Sequence, residues 1–330
     1  MSTTINTKGF ATGSVLLALA VIAAASVNAA LLYLSCGAGV LLVTALVIQL
    51  LRTLSGPTRA LSAMLLSAAL AAALRMLLAA TAPAWLQDMG HEPLYYSVFL
   101  LCGGTAAALA EREVTLPFGR YALFGALMLV TGAVRELLAG GTLLGLRLLD
   151  KGVSADFGRG AAGVIVAGLL LALFGVRERH VFHGGMKEGV CAAIAVMLTT
   201  LCAGLVHAIV TILLPASERL APLPAVLFSG LAALAGRALF RGMMLRPFFE
   251  DETLLAVSVI TLLLVRPAAD GWGNPWVPLC AALAAGGVLL VFGAIYPRID
   301  NTDLPAPFRT TPALVVVAGT ALLALNVIRC

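Results

Sequence analysis

Within or at the ends of long apolar runs lie Arg75, Arg135, Glu136, Arg237, Arg266 and His207, and scattered among the same runs are Cys36, Cys102, Cys191, Cys202, Cys280 and Cys330. Thiolates are the soft ligands that iron-sulfur clusters and zinc require, yet none of these cysteines stands in a CxxC pair. A free cysteine is otherwise a small buried hydrophobe. A charge in hydrocarbon costs roughly 2.5 to 3.5 kcal/mol on insertion scales, so the arginines and Glu136 must face protein or water, or reach outward to the interface. Arg135 and Glu136 are neighbours and therefore point about 100° apart on a helix, too far round to neutralise one another simply. They read either as a gate or contact between helices, or as side chains snorkelling near a helix end marked by Gly140 and Gly141. His207 has no second histidine at i+4, which makes it a poor haem or metal ligand and suits a hydrogen-bonded interior position. No nucleotide-binding loop, Ser-His-Asp set or paired intramembrane carboxylates occur, so the chain alone is not expected to catalyse a reaction.

The elements that carry these residues follow from hydropathy. The chain is 61% hydrophobic with a mean hydropathy of +1.03, which excludes a soluble enzyme and implies an all-α, polytopic membrane helical bundle. With about 20 apolar residues needed per crossing, the runs amount to about eleven spans: 10–31, 33–51, 60–81, 94–110, 119–140, 160–176, 189–214, 221–245, 253–266, 276–296 and 311–328. The ninth is short and is followed by Arg266 and Pro267, as in a broken or re-entrant helix. Polar stretches such as 83–93, 141–159, 177–188 and 297–310 are too short to form a soluble domain. Most loop cations, among them Arg52, Arg59, Arg177, Arg179 and Lys187, fall on the side of Met1, against Arg147, Lys151, Arg159, Arg219 and Arg329 on the other. That bias places the N-terminus in the cytoplasm and the C-terminus outside, as expected for a multi-pass protein of a bacterial cytoplasmic (inner) membrane. The net charge of +5 is thus a topology signal, and no basic run suggests nucleic acid. Residues 1–9 precede a run too long for a signal-peptide core and read as leading into an uncleaved first helix.

Two local strings occupy corresponding places, between the penultimate and last helices of two halves divided at 177–188. One is Arg135-Glu136-Leu137-Leu138-Ala139-Gly140-Gly141-Thr142-Leu143, the other Asp303-Leu304-Pro305-Ala306-Pro307-Phe308-Arg309. The first resembles the R-E-(I/L)-(I/L)-G-x-G-T-L signature of the E subunit of the Rnf electron transport complex and its counterpart in the sodium-translocating NADH:quinone reductase. The second resembles the D-V-P-A-P-F-R signature of the A subunit. Weaker similarity covers about residues 36–176 and 189–328, so the chain looks like a fusion: a six-helix E-like half (1–176), a cytoplasmic linker (177–188) and a five-helix A-like half (189–330). Family members have six spans each and opposite orientations, and the missing helix restores that opposition, giving two inverted-topology halves.

The resemblance also implies four cysteines, two per subunit, holding a 2Fe-2S cluster at the pseudo-twofold axis. Here the first helix, around residues 20–30, has none, and Cys36 falls in the second. Aligning Ala110-Glu111 with the family pattern puts Gly104 at the ligand position and leaves Cys102 two residues away as the candidate residual ligand. In the A-like half Arg266 stands where the cysteine is expected, and the family's I-R-E-R has become Ile295-Tyr296-Pro297-Arg298, without its acid. No cofactor is therefore expected in this chain itself, and a 2Fe-2S cluster only if shared with partners. The resemblance implies a subunit scaffolding an electron or ion path, with flavin- and iron-sulfur-bearing partner subunits in the same membrane complex. The alternative is a secondary transporter or channel-like protein built on inverted repeats, for an anionic solute if the ninth run with Arg266 forms its site.

Overall fold

A helix with lipid on one side and protein on the other has no need of a polar face, and most of the long helices among the described residues have none. In the computed structural model, residues 24–50, 56–89, 99, 115–154, 160–173, 186–214, 222–249, 252–264, 276–300, 316–317 and 320 are described. In chain order their elements are α1 (Val27–Leu50), α2 (Gly56–Thr81), α3 (Pro83–Asp88), α4 (Thr115–Gly140), β1 (Thr142–Leu143), β2 (Leu146–Arg147) and α5 (Gly160–Leu173). There follow α6 (Met186–Leu213), α7 (Pro222–Leu239), α8 (Arg246–Phe249), α9 (Glu252–Leu264) and α10 (Trp276–Asp300). Among the described residues the fold is all-α apart from one two-residue hairpin.

Among the described residues, three helical stretches are long and apolar enough to cross a membrane: Val27–Leu50, Leu61–Thr81 and Lys187–Leu213. In α1, Ala30, Tyr33, Gly37, Leu41, Thr44 and Ile48 recur at helical spacing on the buried side, while Leu31, Leu42, Leu46 and Leu50 are exposed on the other. The same division marks α6, where Ala193, Val196, Thr200, Ala203 and His207 are buried and Ile194, Leu205, Ile209 and Ile212 are exposed. Aliphatic side chains left open at this density would be intolerable in water and are ordinary against lipid. The chain is a membrane protein.

Several boundaries differ from those that run length predicts. The division expected between 10–31 and 33–51 is absent, since α1 runs unbroken through residues 31–33 and begins at Val27. Counting apolar residues misses this start because the bend at Ala25 and Ser26 interrupts helix geometry without interrupting hydropathy. The run 221–245 is helical only to Leu239 as α7; turns then follow, with Gly242 at φ +86°. Met186–Glu188, expected in the linker, form the first turn of α6.

Packing follows the small residues. At the crossing of α6 and α10, a Cβ on Gly189 or Gly293 would lie 3.0 Å from the other's Cα, so the two backbones touch. Further along the same pair, Gly286 leaves room for the Met197 side chain. α1 packs on α4 and α2, α4 on α5, and α6 on α7, α9 and α10. α2 and α7 join the N-terminal and C-terminal halves, with Leu61 seated on Gly230. One continuous apolar cluster crosses this joint, from Leu41, Met64 and Ala68 to Ala225, Val226, Val259 and Leu263.

Candidate functional site

The residues of the Arg135 string meet at one corner of the N-terminal half, where α4 ends and α1 begins. Ser26 caps α1: its Oγ accepts from the N–H of Ala29 at 3.2 Å, and its carbonyl accepts from Ala30 at 3.0 Å. The first N–H of the helix, that of Val27, donates to Glu136 Oε2 at 3.0 Å, from a residue 109 positions away. A carboxylate here faces the positive end of the helix dipole, the favourable arrangement. Arg135 does the complementary task, its Nη1 donating at 2.8 Å to the carbonyl of Ala24, just before the cap. The pair thus grips both polarities of the backbone at one helix start, and the angular separation of adjacent residues on α4 is what lets each reach its own target.

Arg135 is only 1% exposed, so it does not snorkel. Space for it comes from missing side chains. A Cβ on Gly163 of α5 would lie 2.9 Å from Arg135 Cδ and 3.1 Å from its Nε and Nη1. One turn earlier on α4, a Cβ on Gly132 would lie 3.0 Å from the Ser26 carbonyl oxygen. These two glycines bring α5 and the start of α1 against α4, and the guanidinium fills the space between.

The string's second half closes the corner. Gly141, at φ +71°, donates to Leu137 O at 2.9 Å and turns the chain out of α4, and its carbonyl accepts from Leu148 and Leu149, each at 2.9 Å. Thr142–Leu143 pair antiparallel with Leu146–Arg147 around Leu144 and Gly145, whose φ of 53° and 79° suit a two-residue hairpin turn. The N–H of Gly145 lies 3.5 Å from Glu136 Oε1, while Val153 and Ser154 return to Leu138 O at 2.7 and 3.2 Å. Gly152 passes so close to the Ala139 carbonyl that a Cβ there would overlap it. Arg135, Glu136, Gly141 and Thr142 therefore belong to one device that fixes three chain segments: the start of α1, the end of α4 and the hairpin.

The other intramembrane polar candidates sit elsewhere. Arg75 is half-buried in α2, and Arg237 is half-buried in the last turn of α7, where a cation complements the helix dipole. His207 is fully buried in α6 with its ring 6.4 Å from that of Phe228 on α7. About two turns before it, Thr200 and Ser258 share a buried hydrogen bond of 2.9 Å between α6 and α9. Cys102, Arg266, Asp303, Pro305, Pro307, Phe308 and Arg309 lie outside the described residues. The family's four-thiolate ligand set does not form among the described residues. Cys36, Cys191, Cys202 and Cys280 are free thiols, the latter two exposed, and no group of three or more His, Cys, Asp or Glu that could hold a metal ion occurs there.

The sequence reading missed Ala24, Ser26, Gly132, Gly163 and Gly152. Ser26, standing alone inside an apolar run, was a legible cap signal. The glycines carry no local signal, because their role is to admit a side chain or backbone from another segment. No family model, curated protein or solved structure matches the chain, so its assignment rests on residues and geometry alone.

Proposed function

We propose that this chain is an integral membrane subunit of an Rnf-type or quinone-reductase-type ion-translocating electron transport complex, scaffolding the transmembrane path rather than carrying electrons itself. The supporting observation is the Arg135 corner: Arg135, Glu136, Gly141 and Thr142, which carry the E-subunit resemblance, all take part in one hydrogen-bonded arrangement around the end of α4. In this reading about eleven helices form inverted halves, 1–176 and 189–330, in a bacterial cytoplasmic membrane with the N-terminus inside. Flavin and iron-sulfur centres reside in partner subunits, and any 2Fe-2S cluster is shared with them. Purification of the tagged chain in mild detergent, with iron content, absorption spectrum and co-purifying proteins read from one sample, tests this. Flavin- or iron-sulfur-bearing partners with no iron in the isolated chain are expected; a colourless chain without partners would remove the redox assignment.

A second reading is a secondary transporter or channel-like protein on inverted repeats, for an anionic solute if the ninth run with Arg266 forms its site. Substrate-dependent uptake into proteoliposomes containing only this chain would favour it over the redox reading.

A further inference from the structure

The hairpin that follows α4 exposes its apolar residues and is nonetheless fixed in place. Leu144, Leu146, Leu148, Leu149 and Val153 are all exposed, Leu146 and Val153 at more than two-thirds of their surface. The backbone beneath them is tied down by the bonds of Gly141 and Leu138 carbonyls to residues 148, 149, 153 and 154, and Arg147 Nη2 donates to Asp150 O at 2.6 Å. Rigid presentation of so many aliphatic side chains implies a cover. The 26 residues of α4 rise about 39 Å at roughly 1.5 Å each, which exceeds a hydrocarbon core of about 30 Å. With α4 crossing the bilayer and its surplus length at the Gly140 end, that end lies in the headgroup zone and the hairpin, attached through Gly140 and Gly141, lies beside it. Ala126 and Val130, further back on α4, are exposed as well. Exposed Arg147 and Lys151 outnumber the single acid, Asp150, on the loop. Leucines interleaved with cations are the composition of segments that lie in the membrane interface.

We propose that residues 144–153 form an interfacial anchor, with Leu144, Leu146 and Leu148 inserted at the boundary between headgroups and acyl chains and Lys151 meeting the phosphates of anionic lipid. This anchor would hold the end of α4 at a fixed depth and so fix the depth of the Arg135 corner. The inference rests on α4 crossing the bilayer, as the proposed function requires.

The full chain reconstituted in phosphatidylcholine vesicles containing phosphatidylglycerol, with Leu146→Trp and Val130→Trp as separate probes, tests both points by difference from the wild-type tryptophans. Val130 lies ten residues before Gly140, about 15 Å deeper along the helix. We expect Leu146→Trp to add blue-shifted emission quenched most by lipids brominated near the headgroup, and Val130→Trp to be quenched most by lipids brominated near the chain end. Lys151→Gln should abolish any extra quenching of Leu146→Trp seen with phosphatidylglycerol over phosphatidylcholine alone. Emission from Leu146→Trp that is red-shifted and unquenched, or blue-shifted and unquenched because protein covers it, overturns the anchor while quenching of Val130→Trp preserves the span. Failure of both probes to be quenched overturns both. Leu148→Trp serves as the interfacial probe if Leu146→Trp does not assemble.

Discussion

Replacing Glu136 separates what its charge does from what its oxygens do. Glu136→Gln keeps an amide oxygen able to accept from Val27 N–H and removes only the charge facing the helix dipole, a loss of about 0.5 to 1 kcal/mol for a partly buried site. Glu136→Ala removes the acceptor as well and leaves the Val27 N–H without its partner. A hydrogen bond to a charged group contributes about 1.5 to 3 kcal/mol, so Glu136→Ala should cost roughly two to four times as much as Glu136→Gln, on the order of the whole bond. The 3.5 Å approach to Gly145 N is too long to add much. Ser26→Ala, which removes the cap bond to Ala29, gives an internal scale of about 1 kcal/mol. Thermal inactivation in detergent, read as the rate at which a thiol-reactive fluorophore reaches half-buried Cys36 on α1 with the exposed Cys202 and Cys280 replaced by serine, ranks the variants. The order expected is Glu136→Ala least stable, with Ser26→Ala and Glu136→Gln close together nearer the wild type. If Glu136→Ala matches Glu136→Gln, the carboxylate does not hold the start of α1 and the corner is not a latch.

Three further substitutions probe the packing on which the corner and the bundle depend. Gly152→Ala introduces a Cβ that overlaps the Ala139 carbonyl and should displace the hairpin, detected as faster proteolysis between residues 141 and 154 with the helices intact. Gly293→Leu should force α6 and α10 apart at their closest approach and lower the inactivation temperature more than Gly287→Leu, since nothing lies within 4 Å of a Cβ at Gly287. Thr200→Val leaves Ser258 Oγ buried without its partner and should cost about 1 to 3 kcal/mol, while the double variant with Ser258→Ala should cost less than the sum, a coupling measured by a double-mutant cycle.

How much of this was legible depends on whether the determinant is local. Hydropathy is a sum over a window, and it placed α2, α4, α6 and α10 to within a few residues at most of their bounds. It failed at the start of α1, because a capped start inside an apolar stretch changes hydrogen bonding without changing mean hydropathy. Arg135 and Glu136 were singled out correctly as costly residues, but their partners are backbone atoms of Ala24 and Val27, more than 100 positions away, and a backbone carbonyl leaves no mark in a sequence. Snorkelling was a reasonable expectation five residues from a helix end. It is not what occurs, because Gly163 offers the guanidinium a closer niche than the interface does. The string's glycines were legible as turn formers, and Gly141 with its positive φ fills that role.

The adjacency of Arg135 and Glu136 bears on what the corner can do. An Arg–Glu pair on one face, three or four residues apart, would satisfy itself and leave the rest of the bundle free to move. Adjacent residues cannot, and here each charge instead holds a backbone group at the start of α1. Moving that helix start by one hydrogen-bond length would break both of these contacts together. The corner therefore favours a fixed frame over a smoothly sliding element. A rigid frame is what a scaffold between electron-carrying partners requires, since it keeps the path length constant. A transporter built on this chain would have to move at the other joint, where Leu61 of α2 rests on Gly230 of α7 through apolar contacts. Cross-linking cysteines placed at those two positions should then leave a redox scaffold working and stop a transporter.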